Sequence, residues 1–167
     1  MTPKICCFTG HRTIPESDAY SLPLRIEETL ERLYSLGVRE FRAGGAVGFD
    51  MLAALKVISF RNIHPDVRLN LILPCRDQYI KWSSHDKSAY QFTLTHADSV
   101  IYLHDKYTAE CMHERNRALV SGAHFCVAYM RKPSGGTAYT VRLSERSGLR
   151  VINLALDSSD DLLAPTI

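Results

Sequence analysis

Several things are scarce in this chain of 167 residues, and each shortage closes a class of function. There is no apolar run long enough to span a membrane. There is no signal-peptide pattern at the start, where Met1-Thr2-Pro3-Lys4 leads straight into a short strand. There is no Cys-x-x-Cys, and the cysteine count of five is odd. Disulfides and a zinc centre are therefore not expected, and the thiols read as reduced and mostly buried. Charge of one sign is also lacking: the net charge is +2, with no basic stripe, which argues against nucleic acid as a partner. No repeat, low-complexity segment or linker interrupts the chain. A reduced, cytoplasmic protein is expected, without membrane contact, metal or cofactor.

What is present is a regular alternation. Hydrophobic residues make up 46% and charged residues 23% of the chain, ordinary for a globular domain. Lys4 to Phe8 reads as a strand buried on both faces. Leu22, Ile26, Leu30, Leu33 and Tyr34 recur at helical spacing, and Gly37 closes that helix. Val38 to Ala43 is a second strand, followed by a helix from Phe49 to Phe60. Val67 to Leu73 is a third strand. Most of Asp77 to Ala97 reads as helix, with a loop before Ser84. Ser99 to Leu103, His124 to Met130 and Arg150 to Leu154 are further strands. Helices from Ala109 to Ser121, capped by Thr108, and from Thr137 to Ser147 separate them. The acidic tail from about 157 is expected to fray. Strand–helix alternation over 1–167 predicts one α/β domain: a doubly wound, mainly parallel sheet of about six strands with helices on both faces.

Three stretches at strand ends carry the chemistry. Pro133-Ser134-Gly135-Gly136-Thr137-Ala138-Tyr139-Thr140 follows the fifth strand and opens a helix. Two glycines let the backbone approach a ligand closely, and Thr137 can cap the helix. Backbone N–H groups at such a helix start attract phosphate. Thr9-Gly10-His11-Arg12 follows the first strand, and Gly44-Gly45-Ala46-Val47-Gly48-Phe49-Asp50 follows the second. In an α/β sheet such turns converge on one edge, where ligands bind. Each also has a plain structural reading. The glycines can serve tight turns and close helix–strand packing. Asp50 at a helix start is favoured by the dipole whatever its function, or it contacts a ribose hydroxyl, or it is a catalytic carboxylate. Thr140 either contacts a ligand or bonds the preceding turn.

Arg115 shares a helical face with Met112 and Leu119. It either makes a surface pair with Glu110 or Glu114, or lies near the apolar side, where an unpaired guanidinium is costly and an anion would relieve it. Arg12 can grip a phosphate, and Asn116 can read a base edge or sugar hydroxyl. Glu114 points about 100° away from Arg115. Tyr79-x-x-Trp82 is either core packing or a stacking platform or lid over the pocket.

Taken together these motifs resemble the SLOG superfamily of Rossmann-like proteins, most closely its YpsA-like branch. The likeness rests on Phe8-Thr9-Gly10-His11-Arg12, Gly44-Gly45-Ala46-x-Gly48-Phe49-Asp50 with Ala53 or Ala54 behind it, Arg115-Asn116, and Gly135-Gly136-Thr137-x-x-Thr140. The chain is more distantly similar to the Lonely Guy phosphoribohydrolases and the DNA-processing protein A family. The phosphoribohydrolases carry Met-His-x-Arg-Lys where this chain has Met112-His113-Glu114-Arg115-Asn116. Their phosphate loop ends in a Glu thought to act with the Arg, and here Thr140 stands in its place.

The resemblance thus implies a nucleotide-like ligand more than it implies that reaction. The favoured expectation is a sensor or regulatory module that binds a nucleotide or phosphorylated ribose derivative through Gly10, His11, Arg12, Gly44, Gly45, Gly48, Asp50, Arg115, Asn116, Gly135, Gly136, Thr137 and Thr140. The alternative is an N-glycosidase on a nucleoside 5′-monophosphate or ADP-ribose-like compound, with Arg115, Asp50 and Glu114 as catalytic residues. Single-stranded DNA binding is third. A homodimer is plausible from the family.

Overall fold

A computed structural model describes residues 2–155. The tail expected to fray lies outside the described residues. The first strand, β1 (Lys4–Gly10), is short, apolar and covered on both faces, with Cys6, Cys7, Phe8 and Thr9 all buried. A one-turn helix α1 (Glu16–Ala19) follows where only a loop is expected. Helix α2 (Leu22–Ser35) turns Leu22, Ile26, Leu30 and Leu33 inward, and Gly37 ends it. Strand β2 (Val38–Ala43) leads to α3 (Phe49–Arg61), whose small Ala53 and Ala54 let it lie close against the sheet.

Strand β3 (Arg68–Leu73) precedes α4 (Ser84–His96). That helix starts where Ser83 Oγ accepts the Asp86 N–H at 3.1 Å, so the stretch before Ser84 is indeed loop. Strand β4 (Ser99–Tyr102) is short and lies at an edge. Helix α5 (Cys111–Val120) begins two residues later than expected, and Thr108 does not cap it. Strand β5 (Phe125–Tyr129) is buried throughout. Helix α6 (Gly135–Arg146) and strand β6 (Arg150–Asn153) complete the domain.

All five strand pairings are parallel, in the order β4-β3-β2-β1-β5-β6. The chain winds outward from β1 to β4, returns to place β5 against the other side of β1, and then winds out to β6. The direction of winding reverses between β1 and β5. The helices that follow these two strands start on opposite faces and leave a crevice at the strands' C-terminal ends. Helices α2, α3 and α4 pack together on one face, α5 and α6 on the other. The larger core lies under α2 and α3, where the Phe8 and Phe41 rings stack at 5.9 Å. A smaller one joins Cys7, Cys126, Leu119 and Val120 under α5 and α6. Neighbouring Cys6 and Cys7 thus serve different faces, and all five cysteines are free and buried. No helix among the described residues is long and apolar enough to cross a membrane.

Candidate phosphate-binding site

The crevice between β1 and β5 is a cavity of about 430 Å³. Its floor is the end of β1 (Phe8 to Gly10) with His11 and Arg12. One wall is α5, through Met112, Arg115 and Asn116. The other is the start of α6, from Ser134 to Thr137, and Ala46 and Asp50 close the back. The residues that meet here come from all three glycine-bearing strand ends and from α5.

Arg115 dominates the site. It is 7% exposed, and Met112 and Leu119 of its own helix line the same cavity. Its Nε donates to Asn116 Oδ1 at 2.7 Å and its Nη1 to the Gly44 carbonyl, while Nη2 reaches only the Met112 sulfur at 4.0 Å. These partners are neutral. Arg115 makes no ion pair with a carboxylate among the described residues, and the surface pair with Glu110 or Glu114 does not form. Burial pushes its pKa down, and the charge of Asp50 partly offsets this. A buried cation with neutral partners is electrostatically costly, and an anion in the cavity would relieve that cost.

Asp50 is the carboxylate nearest in effect. It sits in the first turn of α3, 4% exposed, and its Oδ1 is buried without a hydrogen-bond partner. Burial pushes its pKa up to about 6, against the pull of Arg115, of Arg12, and of the backbone N–H groups of Ala46 and Gly44. At about 6 it lies well above the ordinary carboxyl range.

The start of α6 supplies donors. Gly135 takes φ +88°, and nothing would meet a side chain there, so the backbone itself faces open space. Helix α6 starts at Gly135, and its N-cap, Ser134, makes no side-chain cap bond. Thr137 therefore lies in the first turn rather than capping it. The first N–H groups of α6 have neither side-chain cap nor intrahelical acceptor, and they carry the positive end of the helix dipole.

The segment leading into α6 is pinned. His11 Nε2 accepts the N–H groups of Arg131 at 2.8 Å and Lys132 at 3.1 Å. Asn153 bonds both backbone groups of Met130 at 3.0 Å, and Arg142 donates to the Pro133 carbonyl. Burial, and then the charge of Lys132, lower the His11 pKa, which suits a neutral ring accepting two N–H bonds. His11 thus positions the loop. Asp18 adds a second anchor: it accepts from the Tyr129 hydroxyl and from Arg131 Nη1, the latter at 2.7 Å.

Of the thirteen residues expected to contact ligand, the cavity gathers Gly10, His11, Arg12, Asp50, Arg115, Asn116, Gly135, Gly136 and Thr137. The other four stand behind it. A methyl group at Gly44 would lie 2.5 Å from Arg115 Nη1, and one at Gly48, φ +83°, would lie 2.3 Å from the Arg12 carbonyl. One at Gly45 would strike Leu73 at 2.2 Å. These glycines let Arg115, the 11–12 turn and β3 approach the β2–α3 turn. Thr140 is fully buried and its hydroxyl bonds the Gly136 carbonyl at 3.0 Å. Glu114 turns to His104, 2.8 Å away, and is not part of the cavity wall. The structure also adds wall residues not foreseen from the sequence, Thr9, Ala46, Met112 and His113 among them. Thr9 and Ala46 lie inside motifs already visible; nothing in the sequence singles out Asp18.

Comparison with known proteins is consistent with this architecture. The model of the YpsA family, described as the YspA SLOG family, matches residues 16–149. No curated protein sequence matches the chain. Solved structures share the fold, two of them DNA processing proteins. DNA processing protein A from Streptococcus pneumoniae superposes with a TM-score of 0.64 at 15% identity, over 97% of this chain and 53% of that one. DNA processing protein A from Helicobacter pylori, described for its single-stranded DNA binding mode, superposes with a TM-score of 0.63 at 20% identity, over 96% and 70%. This chain spans about half the length of the first of these.

Proposed function

We propose that this chain, which belongs to the YpsA SLOG family, binds a nucleotide or phosphorylated ribose derivative in the β1–β5 crevice and acts as a sensor or regulatory module. The observation that carries this reading is Arg115: a buried guanidinium with neutral partners, opposite a helix start that has no side-chain cap. The phosphate sits on the N–H groups of Gly135 to Thr137 and is met by Arg115, with Arg12 at the mouth. Asn116 Nδ2, 3.9 Å from where a methyl group at Gly136 would stand, is placed for a sugar or phosphate oxygen. Asp50 at the back accepts from a sugar hydroxyl when ionised.

The test is thermal unfolding with nucleoside monophosphates, ADP-ribose and ribose 5-phosphate. A ligand at ~100 times its dissociation constant adds about 2.7 kcal/mol, and a rise of several degrees is expected. No rise with any phosphate compound in the panel would remove the proposal.

A second reading, hydrolysis of an N-glycosidic bond, is favoured by one observation: Asp50, which lines the cavity, has a buried Oδ1 without a partner. In that reading Asp50 is the carboxylate beside the developing oxocarbenium centre, and Glu114, bonded to His104, is not. Release of free base by the wild type and not by Asp50→Asn is the expected result; an active Asp50→Asn ends it. The Helicobacter neighbour also reopens nucleic acid as a ligand, since a strand offers the same phosphate groups. A steep fall of affinity with salt identifies that case.

A further inference from the structure

A second cavity, of about 500 Å³, opens at the C-terminal ends of β3 and β4. Its walls are aromatic and basic: Tyr79, Tyr90 and Tyr102 with Arg76 and Lys87. Tyr79 stacks on Tyr90 with ring centres 5.8 Å apart and is 40% exposed. The Arg76 guanidinium lies 4.2 Å from the centre of the Tyr102 ring. Its one carboxylate, Asp105, is 3.1 Å away and 88% exposed, a pair that contributes little and is readily exchanged. Lys87 makes no ion pair among the described residues, and no carboxylate lines the cavity.

We propose that this cavity is a second ligand site, for a planar aromatic anion of the nucleotide class. The ring stacks against the exposed Tyr79, which Tyr90 backs, and the anionic group is met by Arg76 and Lys87. The volume lies in the range of small-molecule sites. Tyr79 thus serves a ligand, but not as a lid on the β1–β5 crevice, while Trp82 stands edge-on behind Tyr90 at 5.2 Å and belongs to the packing.

The two sites lie on either side of one turn, which lines neither cavity. The turn Gly44-Gly45 has Arg115 against its first residue on one side. Leu73, Gln78 and Tyr90 press on the second from the other side. Gln78 donates to the Tyr90 hydroxyl at 3.3 Å. The turn thus stands between Arg115 of one site and Tyr90 of the other, but the proposal does not depend on the crevice being a phosphate site.

Trp82 is the only tryptophan and touches Tyr90, so its emission reports this cavity. The experiment uses Arg115→Met, in which binding in the crevice is weakened, and titrates AMP and ribose 5-phosphate. A saturable change with AMP, and none with ribose 5-phosphate, is expected. Adding Tyr79→Ala should raise the AMP dissociation constant at least about fivefold, the low end of what loss of one stacking ring costs. Adding the exposed Lys87→Ala, which leaves packing untouched, should weaken AMP severalfold as well. No saturable change with AMP, an equal response to ribose 5-phosphate, or affinity indifferent to both substitutions would overturn the proposal. Failure of the crevice reading shows separately, as the absence of any ribose 5-phosphate effect on the unfolding of wild type.

Discussion

Two arginines, one lining the crevice and one in the loop behind it, are treated in opposite ways. Arg131, in the loop before α6, is given a carboxylate: Asp18 accepts from it at 2.7 Å and from the Tyr129 hydroxyl as well. Arg115, far more buried, is given a carbonyl, an amide oxygen and a thioether sulfur. The first arrangement is closed. Its charges are balanced, and the Tyr129 hydroxyl holds the Asp18 carboxyl below the usual range. The second is left open, and Asp50, the carboxylate whose charge acts on it, is itself pushed up to about 6 by burial. An arginine that only braces a fold needs a partner inside the fold. One that is oriented by neutral groups and left without that partner is prepared for an anion from outside.

The contrast can be broken most sharply at Asp50. Its carboxyl is raised from 3.8 to about 6, so the folded state holds a proton that the unfolded chain has already lost between those values. The stability associated with that proton is present below pH ~4 and is lost as pH rises to about 6, roughly 3 kcal/mol in all. Asp50→Asn removes this slope. In urea unfolding at a series of pH values it should match wild type near pH 4 and exceed it at pH 7. A variant less stable than wild type at pH 7 would mean that the Arg115–Asp50 attraction outweighs the burial of the carboxylate.

Arg115→Met comes next. It should cost ligand affinity roughly 10- to 100-fold, the range for a lost charge-assisted contact. The relief of a buried guanidinium offsets the loss of its bonds to Gly44 and Asn116 and of its pull on Asp50, so stability should change little. Calorimetric binding and an unfolding curve on the same sample separate the two effects. Asp18→Ala should do the reverse. It strands the fully buried Tyr129 hydroxyl, about 1–3 kcal/mol of stability, while leaving a ligand's direct contacts in place. Equal loss of stability in both variants would erase the distinction between the two arginines. Smallest of all is Glu114→Gln. Although adjacent to Arg115, Glu114 faces His104, so affinity should stay within about twofold of wild type.

How much of this was legible beforehand follows from where the information lies. Strands such as β1 and β5 are apolar throughout and bounded by turn residues, so the sequence announces them. Their alternation with helices implies the parallel sheet, now seen with its reversal between β1 and β5. Gly135-Gly136-Thr137 and Arg115 were visible as a turn and an odd residue on an apolar face, and both border the crevice. The glycines of the second motif were harder, because one residue type serves both ligand approach and close packing. Only the atoms opposite Gly44, Gly45 and Gly48 place them behind the cavity. Asp18 was illegible: a single helical turn has no periodicity to read, and its partners are more than a hundred residues away. His11 showed itself as a strand-end residue, but that it accepts two backbone N–H groups could not be read from its spacing.

The measurement closest to the central claim is an amide-resolved titration of labelled protein with ribose 5-phosphate, in wild type and in Arg115→Met. The account predicts that in wild type the N–H signals of Gly135, Gly136 and Thr137 move together with Arg115 Nε, and that in the variant they move about tenfold or more weakly. Signals that stay still at the start of α6, or that move equally with and without the guanidinium, would contradict it.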